Sequence, residues 1–288
     1  MKGASKLSMK ARRNIVGYVF VLPALLCFVV FVLIPLILSL ILSFYTTDMF
    51  FMDMTPAGFE NFKRVFQDLL FWRAIGNILL YTLMAVPMNV ILALIFASLV
   101  NSKIRGSKLF RVLFYLPSIT STVAASIVWL WLMNPAYGLL NTILTSLGLP
   151  AATWLTHSST ALVSVTIITV WQGVGGNMII FVAALQNVPV QLYEAAKLDG
   201  AGPLTIFFRI TLPMLAPTMY FILTMTLIGA FQLYDQVYVL TEGGPANSTL
   251  TPVYLIWQNS FGNNAGAQAG YAAAQSFILF IIIMLVTV

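Results

Sequence analysis

The sequence predicts an all-α integral membrane protein with six transmembrane helices, because its charged residues are few and widely spaced. The chain has 288 residues, of which 60% are hydrophobic and 8% are charged, whereas a soluble domain carries about 25% charged residues. Five charge-free segments each exceed the ~20 apolar residues that span a bilayer. They are 14–47, 74–102, 112–193, 210–234 and 243–288. This composition excludes a soluble enzyme, a disordered chain and a nucleic-acid-binding domain.

Turn signals divide the apolar segments into six spans that form a single transmembrane domain over 15–288, after a basic N-terminal segment at 1–14. The first apolar stretch is far longer than the 7–15 residues of a signal peptide, so we interpret it as a retained helix. The predicted spans are about 15–45, 75–100, 112–133, 161–185, 214–240 and 272–288. The connection at 186–213 then joins the fourth span to the fifth.

The basic residues predict the orientation of the chain, since positive charges concentrate in cytoplasmic loops. The N-terminal segment and the second-to-third and fourth-to-fifth connections hold eleven of the fourteen Lys and Arg residues, at positions 2, 6, 10, 12, 13, 103, 105, 108, 111, 197 and 209. The other three share the loop 46–74 with four acids. Both termini are therefore expected in the cytoplasm, and the net charge of +6 implies no nucleic-acid partner.

Catalytic and metal-binding patterns are missing from the sequence. Cys27 has no second cysteine for an intrachain disulfide, and His157 has no second His or Cys for a metal site. No phosphate-binding G-x-x-x-x-G-K-[ST] motif occurs. Ion-coupled carriers usually place ionisable groups inside their spans, whereas here only Asp235 qualifies, near the outer end of the fifth span. This pattern argues against an autonomous ion-coupled carrier.

The spans do contain uncharged polar residues next to aromatic residues, a combination that suits a neutral polyhydroxylated solute such as a sugar. The fourth span adds a glycine-rich stretch, Trp-Gln-Gly-Val-Gly-Gly-Asn at 171–177. Each hydroxyl or amide group is equally able to form a hydrogen bond between helices, worth about 0.6 kcal/mol. The sequence therefore leaves helix packing and cavity lining open for each of these residues.

The connection at 186–213 reads as two short helices. Pro189 is placed to open the first helix and Gly200 to end it, while Pro203 starts the second and Pro213 introduces the fifth span. Spacing alone allows either an amphipathic hairpin at the membrane surface or a docking surface for a soluble partner.

Within this connection the residues follow the pattern E-A-A-x3-G-x9-I-x-L-P, met by Glu194, Ala195, Ala196, Gly200, Ile210, Leu212 and Pro213. The pattern resembles the signature of permease subunits of binding-protein-dependent ATP-binding-cassette (ABC) importers, which have the MetI-like fold. Three further segments resemble the carbohydrate branch: FYLP at 114–117, NPAYGLLN at 134–141 and LTEGGPANST at 240–249. The YGLLN stretch at 137–141 makes the chain similar to the first of two homologous sugar permeases, the maltose-F or glycerol-phosphate-A type.

The resemblance implies that the fourth-to-fifth connection is a coupling helix seated in a groove of a cytoplasmic ATPase. Glu194 would pair with a basic group of that ATPase, Ala195 and Ala196 would let the helix seat closely, and Gly200 would make the turn. The expected coupling residues are Glu194, Ala195, Ala196, Lys197, Leu198, Asp199 and Gly200.

The expected partners are a second homologous permease, two ATPase subunits that bind ATP and Mg²⁺, an external sugar-binding protein, the sugar and the membrane lipid. This chain itself would hold no cofactor and catalyse no reaction. It would lie in a bacterial plasma membrane and import a sugar, with an oligosaccharide favoured. The alternative hypothesis is an autonomous channel or ion-coupled carrier. Spans three to five are expected to line the cavity through Thr122, Thr169, Gln172, Gly173, Thr226, Gly229 and Gln232.

Overall fold

The computed structural model describes residues 9–47, 54–101, 106–262 and 268–287. The described chain is mostly helical and forms two compact units, which are treated separately below. The terminal unit comprises the described part of 1–67 together with 258–278. The core unit comprises 68–257 together with the described part of 279–288.

The helices of the described chain are numbered in chain order. Helices α1 to α5 are Met9–Phe28, Ile34–Leu42, Glu60–Gln67, Leu69–Asn101 and Ser107–Ile119. Helices α6 to α10 are Thr122–Leu132, Leu139–Ser146, Ser158–Gln186, Val190–Leu198 and Pro203–Ile206. Helices α11 to α15 are Leu212–Met214, Ala216–Phe231, Asp235–Leu240, Pro252–Phe261 and Ala269–Thr287. Two short strands, β1 (Tyr45–Thr46) and β2 (Thr55–Pro56), pair antiparallel.

Four helical segments of the described chain are long and apolar enough to cross a membrane: Arg13–Leu42, Leu69–Asn101, Ser158–Gln186 and Ala269–Thr287. The number rises to six if each of two bent helix pairs forms one span. These pairs are Ser107–Ile119 with Thr122–Leu132, and Pro203–Met214 with Ala216–Phe231. The prediction of a helical membrane protein is confirmed.

Two π turns interrupt the helices, and each stands immediately before a helix that carries proline at its second residue. The first is Val29–Leu33, before Pro35, and the second is Phe207–Thr211, before Pro213. Proline has no backbone N–H and its ring clashes with the carbonyl four residues earlier. The wider π hydrogen-bonding pattern accommodates this clash without ending the helical path.

The third predicted span, 112–133, is not one straight helix. Helices α5 and α6 meet at 100°, because Thr120 and Ser121 adopt extended backbone angles. The Thr120 hydroxyl donates a 2.7 Å hydrogen bond to the Pro117 carbonyl and so satisfies a carbonyl at the end of α5. The fifth predicted span, 214–240, is likewise divided into α12 and α13.

The terminal unit packs the β1–β2 pair against α3 and the start of α15. The Asn61 side-chain amide donates to the carbonyls of Ser43 and Tyr45, both at 2.9 Å. The backbone at Gly270 approaches Tyr45 so closely that a Cβ atom would fall on the Tyr45 carbonyl oxygen. Arg64 stacks over the Tyr271 ring at 4.1 Å and donates to the Gln268 side chain.

The core unit is built around α4 and α8, which carry most of its buried side chains. Gly175 faces α5, and a Cβ atom at this position would overlap the Phe114 carbonyl oxygen. Gly175 therefore allows the close backbone approach of α5 and α8, and α8 continues through the glycine-rich stretch without a break.

Several charges used to predict the orientation lie outside the described residues. They are Lys2, Lys6, Asp48, Asp53, Lys103 and Arg105. The orientation of the chain therefore stays a prediction.

Candidate functional site

A cavity of about 590 Å³ opens among α4, α8, α12 and the segment that joins α12 to α13. Helix α4 contributes Tyr81, Ala85 and Asn89, and helix α8 contributes Thr169, Val170, Gly173 and Asn177. The remaining lining residues are Met225, Thr226, Gly229, Ala230, Gln232, Leu233, Tyr234, Asp235 and Gln236. All of these residues belong to the core unit.

The wall of this cavity holds a polar network that connects three helices. The Asn177 side-chain amide donates to Asn89 Oδ1 at 2.7 Å and to Thr226 Oγ1 at 3.1 Å. Gly173 lies beside this network, and a Cβ atom there would come within 2.9 Å of Asn89 Nδ2. A glycine at position 173 thus leaves room both for the cavity and for the Asn89 amide.

Five of the seven residues predicted to line a cavity lie in its wall: Thr169, Gly173, Thr226, Gly229 and Gln232. Thr122 and Gln172 are not among its lining residues. Gln172 Nε2 instead donates to Thr122 Oγ1 at 3.3 Å and to the Thr120 carbonyl at 3.4 Å. These two residues therefore connect α8 to the bend between α5 and α6.

Helix α4, the second predicted span, lines the cavity, whereas the third predicted span does not. Sequence reasoning assigned the lining to spans three to five and therefore missed Tyr81 and Asn89. A signal was present, since Asn89 is the one amide side chain between Leu79 and Ile95. Asn89 is buried and bonded to Asn177, which accounts for a polar residue at this position.

The charge on the described cavity wall comes from Asp235, which is exposed at the start of α13. No Lys or Arg is among the described residues that line the cavity. The other polar groups are hydroxyls and amides, which both donate and accept hydrogen bonds. This set suits a solute with many hydroxyl groups and is unfavourable for an anion.

Four aromatic side chains cluster beside the cavity, and one of them, Tyr234, also lines it. Tyr234 stacks on Tyr238 with ring centroids 5.7 Å apart, and Trp257 lies edge-on to Tyr238 at 5.2 Å. Tyr254 stacks on Trp257 at 5.9 Å. Aromatic rings present flat apolar faces with a polar edge, so the cluster can contact a ring-shaped solute at this end of the cavity.

Two segments that carried the family resemblance meet at a second cavity of about 420 Å³. Asn134 and Pro135 belong to the first segment, and Leu240, Thr241, Gly244 and Pro245 to the second. The second segment is held by α4, because Arg73 donates to the Ala246 carbonyl at 2.7 Å and Asn77 donates to the Asn247 and Leu250 carbonyls at 2.9 Å. These motif residues thus build a fixed loop.

The predicted coupling residues lie on α9 and the turn that follows it, and most of their surface is exposed. Glu194, Ala195, Lys197, Asp199 and Gly200 are exposed, and Ala196 is intermediate. The Leu198 side chain is 89% exposed.

A Schellman motif ends α9 at the turn. The Ala201 N–H donates to the Ala196 carbonyl at 2.9 Å, and the Gly200 N–H donates to the Lys197 carbonyl at 3.1 Å. Gly200 has a φ of +76°, the left-handed conformation that this cap requires and that glycine adopts most readily. The glycine of the motif is thus explained by backbone geometry.

The loop helix is also connected to the segment that leads into α12. The Tyr193 hydroxyl lies 3.3 Å from the Thr211 hydroxyl in the second π turn, and Thr211 is buried. This contact joins α9 to the π turn that precedes α11 and α12.

Comparisons with known proteins agree with the motifs. Residues 70–288 match the family model for the binding-protein-dependent transport system inner membrane component. The chain is 36% identical to the lactose transport system permease protein LacF of Rhizobium radiobacter over 288 residues, covering 98% of this chain and 95% of the relative. It is 34% identical to the probable ABC transporter permease protein YurN of Bacillus subtilis (strain 168), covering 95% of this chain and 94% of the relative.

The fold is also found among solved structures. The crystal structure of a bacterial ABC transporter involved in the import of the acidic polysaccharide alginate contains a chain that superposes with a TM-score of 0.80. The match covers 96% of this chain and 93% of that one, at 24% identity, and it shows a common fold. The chain therefore belongs to the family of inner membrane components of binding-protein-dependent transport systems.

Proposed function

We propose that this chain is the permease subunit of an ABC importer that carries a neutral sugar, in particular an oligosaccharide, into the cytoplasm. The observation that carries the proposal is the wall of the 590 Å³ cavity, with its hydroxyl and amide groups, its adjoining aromatic cluster and no described cation. A sugar presents many hydroxyl groups for such hydrogen bonds, and apolar C–H faces for the aromatic rings.

The relatives bring several substrates into consideration. LacF is named for lactose. The UgpA protein of Pectobacterium atrosepticum is named for sn-glycerol-3-phosphate. UgpA is 34% identical to this chain, and the match covers 96% of this chain and 93% of the relative. Asp235 favours the neutral member of this pair, because a carboxylate repels a phosphate and the described cavity wall holds no positive side chain to offset it.

The proposed complex contains this chain, a second homologous permease, two cytoplasmic ATPase subunits and an external sugar-binding protein. ATP and Mg²⁺ would be bound by the ATPase subunits, so this chain would be a transport subunit without catalytic residues. Both termini would lie in the cytoplasm of a bacterial cell. The basic residues at the predicted cytoplasmic connections support this orientation.

The seven residues from Glu194 to Gly200 would couple the ATPase to the transmembrane helices. Their exposure and the Schellman cap give α9 a fixed end that can be seated in a groove. Closure of the ATPase subunits would move α9, and the Tyr193–Thr211 contact would carry the movement towards α12. The cavity wall formed by Thr226 and Gly229 lies on that same helix, so this route connects the ATP-driven step to the sugar.

Uptake of a labelled disaccharide into proteoliposomes tests the function. We expect uptake only when the second permease, the ATPase, ATP and the binding protein are all present. The autonomous channel or carrier is the competing hypothesis. Uptake that continues without the ATPase or the binding protein would establish that alternative.

The Ala196→Leu variant tests the coupling helix separately. A larger side chain at this partly exposed position would hold α9 away from the ATPase, so the ATPase should copurify poorly while the chain still inserts. Ala151→Leu is the matched control, because it makes the same change at an exposed residue between α7 and α8. Equal copurification of the ATPase with both variants would contradict the proposed role.

A further inference from the structure

An apolar cleft lies where α4 ends and α5 begins, and it shares no lining residue with the 590 Å³ cavity. Its volume is about 240 Å³, and five of its six lining residues are hydrophobic. They are Phe96, Leu99, Val100, Phe110 and Phe114, with Ser107 as the sixth. This α4–α5 cleft has no role in the function proposed above.

The cleft is built from aromatic rings and is open at its surface. Phe96 stacks on Phe114 with centroids 4.2 Å apart, and Phe110 stacks on Phe114 at 6.3 Å. The Phe110 side chain is nevertheless 51% exposed. When hydrocarbon covers an apolar surface of this kind and removes it from water, the free energy falls.

Two cations stand next to cleft residues in the sequence of α5, Lys108 after Ser107 and Arg111 after Phe110. Lys108 and Arg111 are exposed on α5, and Arg111 stands one turn before the cleft residue Phe114, so it shares its face of the helix. The sequence contains no Asp or Glu from residue 69 to residue 193. The positive charge beside the cleft is therefore not offset by acids on the neighbouring parts of α4 and α5.

The cleft also lies at the expected depth of the lipid headgroups. The charge-free segment 74–102 includes most of α4. Val100 and Ser107 lie near its end and are therefore expected near the boundary between hydrocarbon and water. Basic pockets between transmembrane helices on the cytoplasmic side are typical sites for the headgroups of anionic lipids.

We propose that the α4–α5 cleft binds an anionic phospholipid, with one acyl chain against Phe96, Phe110 and Phe114 and the phosphate between Lys108 and Arg111. The combination of an apolar cleft and a basic rim carries this assignment. A free phosphate would not require the apolar cleft, and an apolar helix from a partner would not require the cations.

The test is lipid retention by the purified complete complex, measured by native mass spectrometry after delipidation and titration with cardiolipin or phosphatidylcholine. We expect cardiolipin to bind more tightly than phosphatidylcholine. Since a Lys or Arg near a lipid surface contributes about a fivefold change in affinity, Arg111→Gln should weaken cardiolipin binding about fivefold. The double variant Lys108→Gln/Arg111→Gln should weaken it about thirtyfold.

Lys63→Gln is the matched control, because it removes one exposed positive charge from α3, in the terminal unit. Equal retention of the two lipids, or equal losses for Arg111→Gln and Lys63→Gln, would overturn the proposal. So would efficient disulfide crosslinking of Phe110→Cys, in a Cys27→Ser background, to a cysteine on a partner subunit, since a protein would then cover the cleft. The measurement needs neither sugar nor ATP, so its outcome is independent of the proposed transport function.

Discussion

Asn177 on α8 donates a 2.7 Å hydrogen bond to Asn89 on α4, and its amide also reaches Thr226 on α12 at 3.1 Å. One side chain thus joins the three helices that surround the cavity. Asn89 is buried, so it has no alternative partner in bulk water. The pair stabilises the helix arrangement and also forms part of the cavity wall.

The Asn177→Ala substitution should destabilise the core unit by about 1–2 kcal/mol, because it leaves the buried Asn89 carbonyl without its donor. The double-mutant cycle with Asn89→Ala should give a coupling energy of about 0.6 kcal/mol, the average for such bonds between membrane helices. Thermal unfolding of the purified complex measures both quantities. Asn187→Ala, at the exposed end of α8, should have little effect. A coupling energy of zero would show that the hydrogen bond between Asn177 and Asn89 does not contribute to stability.

Gly175 and Gly176 are adjacent in α8 but meet different surroundings. The Gly175→Ala substitution should cost about 1–3 kcal/mol, because the new methyl group overlaps the Phe114 backbone and α5 must move. Gly176→Ala meets nothing within 4 Å and should be neutral or stabilising, since alanine favours a helix. Thermal unfolding of the two variants side by side provides the measurement. Equal stabilities would show that position 175 does not need glycine for the close approach of α5 and α8.

The long helices and the bounds of α9 could be predicted from the sequence because their signals are local. Long charge-free segments identify the spans, and Pro189 and Gly200 bracket α9 in the chain as they do in the structure. The expected start of the fourth span, residue 161, lies three residues from the observed start of α8 at Ser158. A helix cap and an apolar run each depend on only a few neighbouring residues.

The cavity could be predicted only in part, because its wall depends on which helices meet. Gln172 and Thr122 are as polar as Thr169 and Thr226, yet they bond each other across α6 and α8. Asn89 lies in the second predicted span, which was not among the spans expected to line the cavity. The bend at Thr120 and Ser121 removes the third predicted span from the wall, and composition alone does not reveal a bend that depends on backbone angles at two residues.

Gly200 should be essential to the shape of the turn after α9. Gly200→Ala forces alanine to adopt a φ of +76°, which costs about 1–2 kcal/mol, so the Schellman cap should open more often. We expect the Ala201 amide to exchange with deuterium about five to thirty times faster, and the ATPase to copurify less well. Gly202→Ala is the control, since Gly202 has a φ of −73° and open space around it. Unchanged exchange in Gly200→Ala would refute the importance of the cap.

Asp235 should select against anionic sugars, since it supplies negative charge to a wall that has no described Lys or Arg. Asp235→Asn should strengthen binding of a uronate-containing disaccharide about fivefold, because an exposed like-charge contact costs up to about 1 kcal/mol. Binding of the neutral disaccharide should change less than binding of the charged one. Direct titration of the purified complex measures both affinities, with the binding protein omitted so that its own selectivity does not contribute. Glu242→Gln removes a negative charge outside the cavity wall and should leave the ratio of affinities unchanged. A ratio that shifts equally in both variants would indicate a general effect of net charge, and the selectivity could not then be assigned to Asp235.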